Sequence, residues 1–342
     1  MELRSCFLIA VVAIMSDKGT TKKINLENWM SELSAPLKDI PLIYLAIPGS
    51  HDSMTYGITR SSKLAPDAEP ILHRIYPLFK GTILRWTITQ ALDTPQQLNI
   101  GIRYFDLRLA TKNDSEQIFF THGVYADEIS KALNQVKEFV DTHPGEVVIL
   151  DFQHFYNFTP EDHHRLMRYL LNLYGRRLVP RSLQLTTVTL NSLNRLRQQV
   201  VVVYRHQAVY ATNEFWQPQM LPSPWPQQDR ITGLLSFLEN VRRHPSTGFV
   251  HQAVLTPTPV FIVLRWMSNL RDKCAKPVMK EVLPKLEEFS PGPPLPQTNA
   301  RSPVNVVIAD FVEMDDAIFP RTIIHLNYKL LRNTDIVYHN YG

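Results

Sequence analysis

Cysteine is almost missing from this sequence: Cys6 and Cys274 are the only two in 342 residues. They are too few and too far apart for a disulfide framework or a thiolate metal cluster. No apolar run reaches the roughly 18 residues that a membrane-spanning helix requires. Dense Lys/Arg blocks are lacking as well, and the formal net charge is only +4. That balance argues against nucleic acid as a partner and leaves weak attraction to an anionic membrane surface open. There is no internal repeat and no long low-complexity tract. What is present, 44% hydrophobic residues and 10% aromatics, suits a large core, and the length fits either two average domains or one α/β barrel.

The scarcity of cysteine points to a reducing, cytoplasmic compartment. Secretion is the alternative, because "CFLIAVVAIM" (6–15) follows Arg4 like the apolar region of a signal, and "NDS" at Asn113 and "NFT" at Asn157 are glycan acceptors in form. Against it, the stretch lacks an A-x-A-like cleavage site, and Met15 can itself start a polar chain.

Short apolar runs alternating with helical patterns predict a parallel α/β architecture. Candidate strands are 41–47 "PLIYLAI", 102–109 "IRYFDLRL", 117–122 "QIFFTH", 146–153 "EVVILDFQ", 199–205 "QVVVVYR", 248–255 "GFVHQAVL" and 304–311 "VNVVIADF". The segment 127–142 keeps Ile129, Leu133, Val136 and Val140 on one helical stripe and is read as a covering helix. Thr159, Pro160 and Gly175 mark the cap, first turn and end of a second helix, with His163 and His164 expected on its surface. Seven strands is one short of an eightfold barrel, and 110–116 is too short for a crossover helix, so any barrel is irregular. The proline cluster at 290–297 is read as a surface loop. The expectation is one domain, residues 27–342, behind an N-terminal extension, 1–26.

Chemistry concentrates in "PGSHDSMTYG" (48–57), where His51 and Asp52 stand side by side directly after an apolar run. Asp106 and Arg108 in "GIRYFDLRL" are two apart, so they share one face of their strand. A charged pair facing an apolar helix layer would be costly, which favours the barrel mouth. His122 follows in "FFTHG". Strand C-termini in a parallel barrel line one face, where these five residues can converge. Two histidines and an arginine suit phosphodiester cleavage: one imidazole removes a proton, the other returns one to the leaving oxygen, and a guanidinium holds phosphoryl charge. Taken singly, each histidine is equally readable as an ordinary loop or core residue, and Asp106 with Arg108 as a structural ion pair.

"PGSHDSMTYG", "QLNIGIRYFDLRL", "FFTHG" and "HPGEVVILDFQHF" together resemble the X-domain of phosphatidylinositol-specific phospholipases C, in particular the stand-alone X-domain proteins of animals, over roughly residues 27–335. The resemblance implies a distorted, incomplete TIM barrel. It implies His51 as general base toward the inositol 2-hydroxyl, His122 as general acid toward the diacylglycerol oxygen, and a cyclic inositol phosphate as product. Asp52 and Arg108 match residues of the metal-independent bacterial enzymes, Asp106 the acid two before that arginine, and Asp310 the late-strand carboxylate that orients the base. Calcium-dependent relatives carry an acid where Arg108 stands, so no metal or other cofactor is implied. Gln153, where the bacterial pattern has lysine, and Arg205 fall at inositol-contacting positions.

The implied partner is phosphatidylinositol or a related lipid at a membrane surface, with Trp216 and Trp225 in "FWQPQMLPSPWPQ" (215–227) as peripheral contacts. Two other functions fit less well. A silent phosphoinositide-binding scaffold has no need of both proton-transfer groups. A metal-dependent glycerophosphodiesterase-like enzyme using His51, Asp106 and His122 as ligands would have to tolerate Arg108 beside its ion.

Overall fold

The computed structural model describes residues 24–113, 115–181, 184–294 and 301–331. The signal-like stretch 6–15 and the end of the proline cluster, 295–297, lie outside them. Among the described residues, eight strands form one sheet: β1 (Ile47–Ser50), β2 (Tyr104–Lys112), β3 (Ser115–Thr121), β4 (Tyr125–Glu128), β5 (Val148–Tyr156), β6 (Val200–Tyr204), β7 (Val250–Gln252) and β8 (Val306–Ala309). Six of them run parallel in the order β6-β5-β2-β1-β8-β7. This is the arc of a distorted TIM barrel.

The arc is closed by irregular chain between β6 and β7. Trp216 N–H donates to the Val202 carbonyl (2.7 Å) and the Trp216 carbonyl accepts from Tyr204 N–H (3.1 Å), while the carbonyls of Met220 and Pro222 accept from the N–H groups of Gly248, just before β7, and Val250, its first residue (both 2.9 Å). A segment read from its aromatics as a membrane loop therefore serves as the missing staves. Trp216 is 1% exposed, and its indole donates to the Val179 carbonyl at 3.0 Å. Its expected role as a lipid contact is thereby corrected.

Two other expectations need correction. The first strand starts at Ile47 and includes Gly49, because a Cβ there would meet the Tyr104 side chain at 2.7 Å and Ile308 at 2.9 Å; the run 41–46 instead opens with a 3-10 turn, Leu42–Tyr44. His163 is buried, with Nδ1 2.7 Å from the Tyr204 hydroxyl and its ring stacked 3.7 Å from His206; His164 is exposed as expected. "QIFFTH" pairs antiparallel to β2, as its short connection requires, and β4 extends that hairpin. The helices at Ile129–Thr142 and Pro160–Tyr174 form as read, the second with a Thr159/Asp162 capping box.

Side chains alternate along the strands. Ile47, Tyr104, Ile149, Val201, Val203, Val250, Val306 and Ile308 fill the interior, whereas Phe105, Leu107, Phe152 and Val202 pack under the helices with Leu133, Val136 and Leu166. At the N-terminal ends of the strands, residues 26–37 plug the barrel. Arg103 is fully buried there and donates to Glu146 (2.9 Å) and to the carbonyls of Leu98 (2.7 Å), Ile102 (2.9 Å) and Glu27 (2.6 Å). Glu146 also accepts from the backbone of Met30 (3.3 Å) and Ser31 (2.8 Å). Removing one member of such a pair strands a buried charge, so Glu146→Ala is expected to cost about 3–5 kcal/mol in urea unfolding. A loss below about 1 kcal/mol, the level of an exposed pair, would show that this plug does not hold the barrel floor.

Candidate active site

The loop after β1 brings His51 and Asp52 to the C-terminal mouth of the barrel. Asp52 adopts φ 41°, a left-handed turn that an aspartate tolerates better than most residues. The turn is fixed from several sides. Ser53 N–H donates to the Asp106 carbonyl (3.0 Å), Asp106 N–H to Ser53 Oγ (2.8 Å), and Thr89 Oγ1 to the carbonyls of His51 and Asp52 (both 3.1 Å). Gln90 Nε2 donates to the His51 and Ala309 carbonyls at 3.0 and 2.9 Å.

Within this frame the five predicted chemical residues converge. His51 Nδ1 lies 2.8 Å from Asp310 Oδ1, so it carries the proton of that bond. His51 Nε2 then faces Asp52 Oδ2 and Arg108 Nη2, each at 3.3 Å. Arg108 Nε is 2.5 Å from Asp52 Oδ1, and its Nη2 is 3.8 Å from Asp106 Oδ2. His122 Nδ1 donates to the Thr87 carbonyl (2.7 Å), which leaves Nε2 3.3 Å from the same Asp52 Oδ2. One carboxylate oxygen thus touches the outward nitrogens of both imidazoles, whose ring centroids are 6.4 Å apart.

Burial and charge set the proton affinities. Burial works to lower the pKa of His51, which is only 6% exposed, but Asp52 and Asp310 overcome it, with Arg108 opposing, and raise it to about 9. Asp52 is pushed up by burial and pulled down further by Arg108 and the two histidines, to about 2. Asp106 has burial and Asp52 raising it against Arg108, and stands at about 6. Arg108 loses affinity by burial and regains more from Asp52 and Asp106, so its pKa is raised.

Gln153 and Arg205 also face the interior, but each is engaged. Arg205 makes a two-pronged pair with Asp151 (2.8 and 2.7 Å) and donates to the Leu221 carbonyl (2.7 Å). Gln153 donates to Asp151 (3.2 Å) and the Tyr104 hydroxyl (3.1 Å), at a bulge where Leu107 pairs with Phe152 and Arg108 with His154. Asp151 was missed from sequence, although a carboxylate inside "VVILDFQ", two before Gln153, marks an interior-facing polar group. Asp67 was missed too: it accepts from Thr121 Oγ1 (2.7 Å) and Gly123 N–H (2.6 Å) and so fixes the loop of His122. Among the described residues, the group of histidines and acids close enough to hold an ion is His51, Asp52 and Asp106, with ligand atoms within 4.8 Å of one another. The set considered from sequence had His122 where Asp52 stands, and the Arg108 guanidinium lies against both acids.

Comparison with known proteins agrees with this architecture. The family model described as phosphatidylinositol-specific phospholipase C, X domain, matches residues 85–206. PI-PLC X domain-containing protein 3 of Mus musculus is 32% identical over 323 residues, covering 92% of this chain and 97% of that protein. PI-PLC X domain-containing protein 1 of the same organism is 33% identical over 316 residues, 89% of this chain and 87% of that one. Among solved structures, the phosphatidylinositol-specific phospholipase C of Listeria monocytogenes superposes with a TM-score of 0.57 at 18% identity, over 89% of this chain and 99% of the other. A Staphylococcus aureus phosphatidylinositol-specific phospholipase C gives 0.59 at 18%, over 88% and 97%.

Proposed function

Because the chain belongs to the family of PI-PLC X domain-containing proteins, we propose that it is a metal-independent phosphodiesterase that cleaves phosphatidylinositol-type lipids to diacylglycerol and a cyclic inositol phosphate. The observation that carries this reading is the single Asp52 oxygen lying 3.3 Å from Nε2 of both His51 and His122, with Arg108 beside it. His51, once neutral, accepts the proton of the inositol 2-hydroxyl through Nε2 while Asp310 holds its Nδ1–H. His122 returns a proton to the leaving glycerol oxygen. Arg108 and the protonated histidine face the charge that grows on the phosphoryl oxygens, the role of a preorganised cation. Asp106 supports Arg108, and Gln153 and Arg205, held by Asp151, form the wall against which the inositol ring sits.

Both proton-transfer groups would be idle in a silent scaffold. A bound cation at His51, Asp52 and Asp106 would have to share its shell with a guanidinium, which favours the metal-free reading.

The lipid surface is met elsewhere than at Trp216. The helix Pro70–Thr87, kinked at Phe79, and the helix Pro259–Val263 with its continuation to Met267 expose Leu78 (82%), Val260, Val263, Leu264 (73%), Trp266 and Met267 (78%). Arg85 ties the two together through the carbonyls of Trp266 (3.0 Å) and Ser268 (3.2 Å), and Trp86 packs on Phe261. Residues 70–87 and 257–270 contain Arg74, Lys80, Arg85 and Arg265 and neither Asp nor Glu. Apolar side chains among uncompensated cations suit the boundary of an anionic leaflet. The compartment proposed with this reading is the cytoplasm. Burial of the free Cys274 supports it, as does the Asn157 amide, which donates to Asn113 Oδ1 at 2.9 Å and would lose that bond on glycosylation.

The test is the pH dependence of kcat/KM, which reports groups of the free enzyme. Activity that requires neutral His51 rises as its proton is lost, so the ascending limb lies at about 9. Asp310→Asn removes one of the raising carboxylates and is expected to move that limb down while lowering the plateau. A limb that stays in place in Asp310→Asn rules out His51 as the base.

A further inference from the structure

Trp225 has no part in this chemistry, yet its ring centroid lies 5.1 Å from Cζ of Arg108. Its indole N–H donates to Thr256 Oγ1 (2.7 Å), and Thr256 N–H donates to the Gln228 carbonyl (2.7 Å). The segment 225–228 is therefore fastened to Thr256 by side chain and backbone together. Two residues on, the Thr258 hydroxyl caps the exposed Pro259–Val263 helix by accepting from Phe261 N–H at 3.2 Å. Prolines stiffen both arms of the linkage, Pro224 and Pro226 around the tryptophan and Pro257 and Pro259 around Thr258. A short, stiff series of contacts thus joins Arg108 to the apolar, cationic ridge. The tryptophan itself is 40% exposed and shields an arginine that is 8% exposed.

A guanidinium that receives phosphoryl oxygens needs an open approach, and an indole lying over it occupies that approach. We infer that Trp225 decides which substrates reach the site: it covers Arg108 until the adjoining ridge enters an anionic lipid leaflet, so a phosphodiester held in a bilayer is admitted and the same headgroup diester free in water is kept out. The inference rests on the phospholipase reading given above. One cation–π contact and one hydrogen bond make a fastening weak enough for lipid contact to release. Lipid binding favours whichever state lets the ridge insert, and a ligand shifts an equilibrium only by such differential affinity.

The test uses the full chain labelled with 5-fluorotryptophan, the Trp225 line in the fluorine NMR spectrum being identified by its loss in Trp225→Phe. Bicelles of phosphatidylcholine and phosphatidylserine are expected to move that line, and Thr256→Val to move it the same way without lipid. Thr256→Val and Trp225→Ala are each expected to raise turnover of water-soluble glycerophosphoinositol by about 5–10-fold, with vesicle turnover of Thr256→Val changing less than about twofold, as release of a weak latch implies. A Trp225 line unmoved by bicelles, or both variants leaving soluble turnover at the wild-type level while vesicle turnover is measurable, overturns the inference. If the line moves in bicelles and in Thr256→Val but no inositol phosphate forms from either substrate, the latch stands and the phospholipase reading falls.

Discussion

His51→Ala and His122→Ala are each expected to lower turnover on phosphatidylinositol vesicles by about 10²–10⁴-fold, the range for general acid–base groups. The two losses arise from different steps but meet in one unit, because Asp52 Oδ2 is 3.3 Å from both Nε2 atoms. Without His51 the hydroxyl proton loses the imidazole that Asp310 orients to accept it. Without His122 the glycerol oxygen must leave unprotonated. The double variant is therefore expected to be little worse than the worse single one, as groups acting together are strongly non-additive. His122 lies at the mouth in a loop already fixed by Asp67, so folding should survive its loss. His51→Ala removes the partner of Asp310 and Asp52, and thermal unfolding should accompany the kinetics. A folded single variant with near wild-type turnover removes that residue from the mechanism.

Arg108→Ala is expected to cost about 10²–10³-fold in kcat, comparable to removal of one electrostatic donor in other enzymes. Arg108 is buried with Nε 2.5 Å from Asp52 and Nη2 3.3 Å from His51, so its charge is already in position before substrate binds. Alanine there removes the guanidinium that lies against both Asp52 and Asp106, and added metal is not expected to restore the rate well. Arg108→Asp differs. It adds a carboxylate to His51, Asp52 and Asp106, whose ligand atoms already lie within 4.8 Å of one another, and oxygen-rich groups of this kind are what calcium takes. Partial recovery of Arg108→Asp only with calcium is the expected result. Calcium-insensitive Arg108→Asp would mean that these carboxylates cannot close around an ion.

Much of this site was legible because its signals are local. The two-residue spacing of Asp106 and Arg108 fixes their common face, and the alternation of β2 sends both inward with Tyr104. Asp310 ends a run of buried apolar residues, and the cap and stop signals of Pro160–Tyr174 are complete within the segment itself. What the sequence hid depends on contacts distant along the chain. β1 is a strand because Tyr104 and Ile308 approach Gly49 from neighbouring strands, a closeness that "IPGS" alone reads as a turn. His163 is buried because Tyr204 and His206 come from the next strand and its loop. Trp216 resembles an interfacial residue until the gap between β6 and β7 is known to need filling. The Thr87 carbonyl that fixes the tautomer of His122 is a backbone atom, which no residue pattern announces.

The central claim is that the protein's own histidines and arginine cleave an inositol phosphodiester without a metal. It is tested most directly by incubating purified protein with phosphatidylinositol vesicles in excess chelator, following the inositol phosphate by phosphorus NMR and the diacylglycerol by chromatography of the lipid extract. A cyclic inositol phosphate appearing with equimolar diacylglycerol, at a rate unchanged by chelator and lowered about 10²–10⁴-fold in His122→Ala, is the predicted result. Absence of any product from vesicles the protein demonstrably binds, or turnover that chelator abolishes and calcium restores, would contradict it.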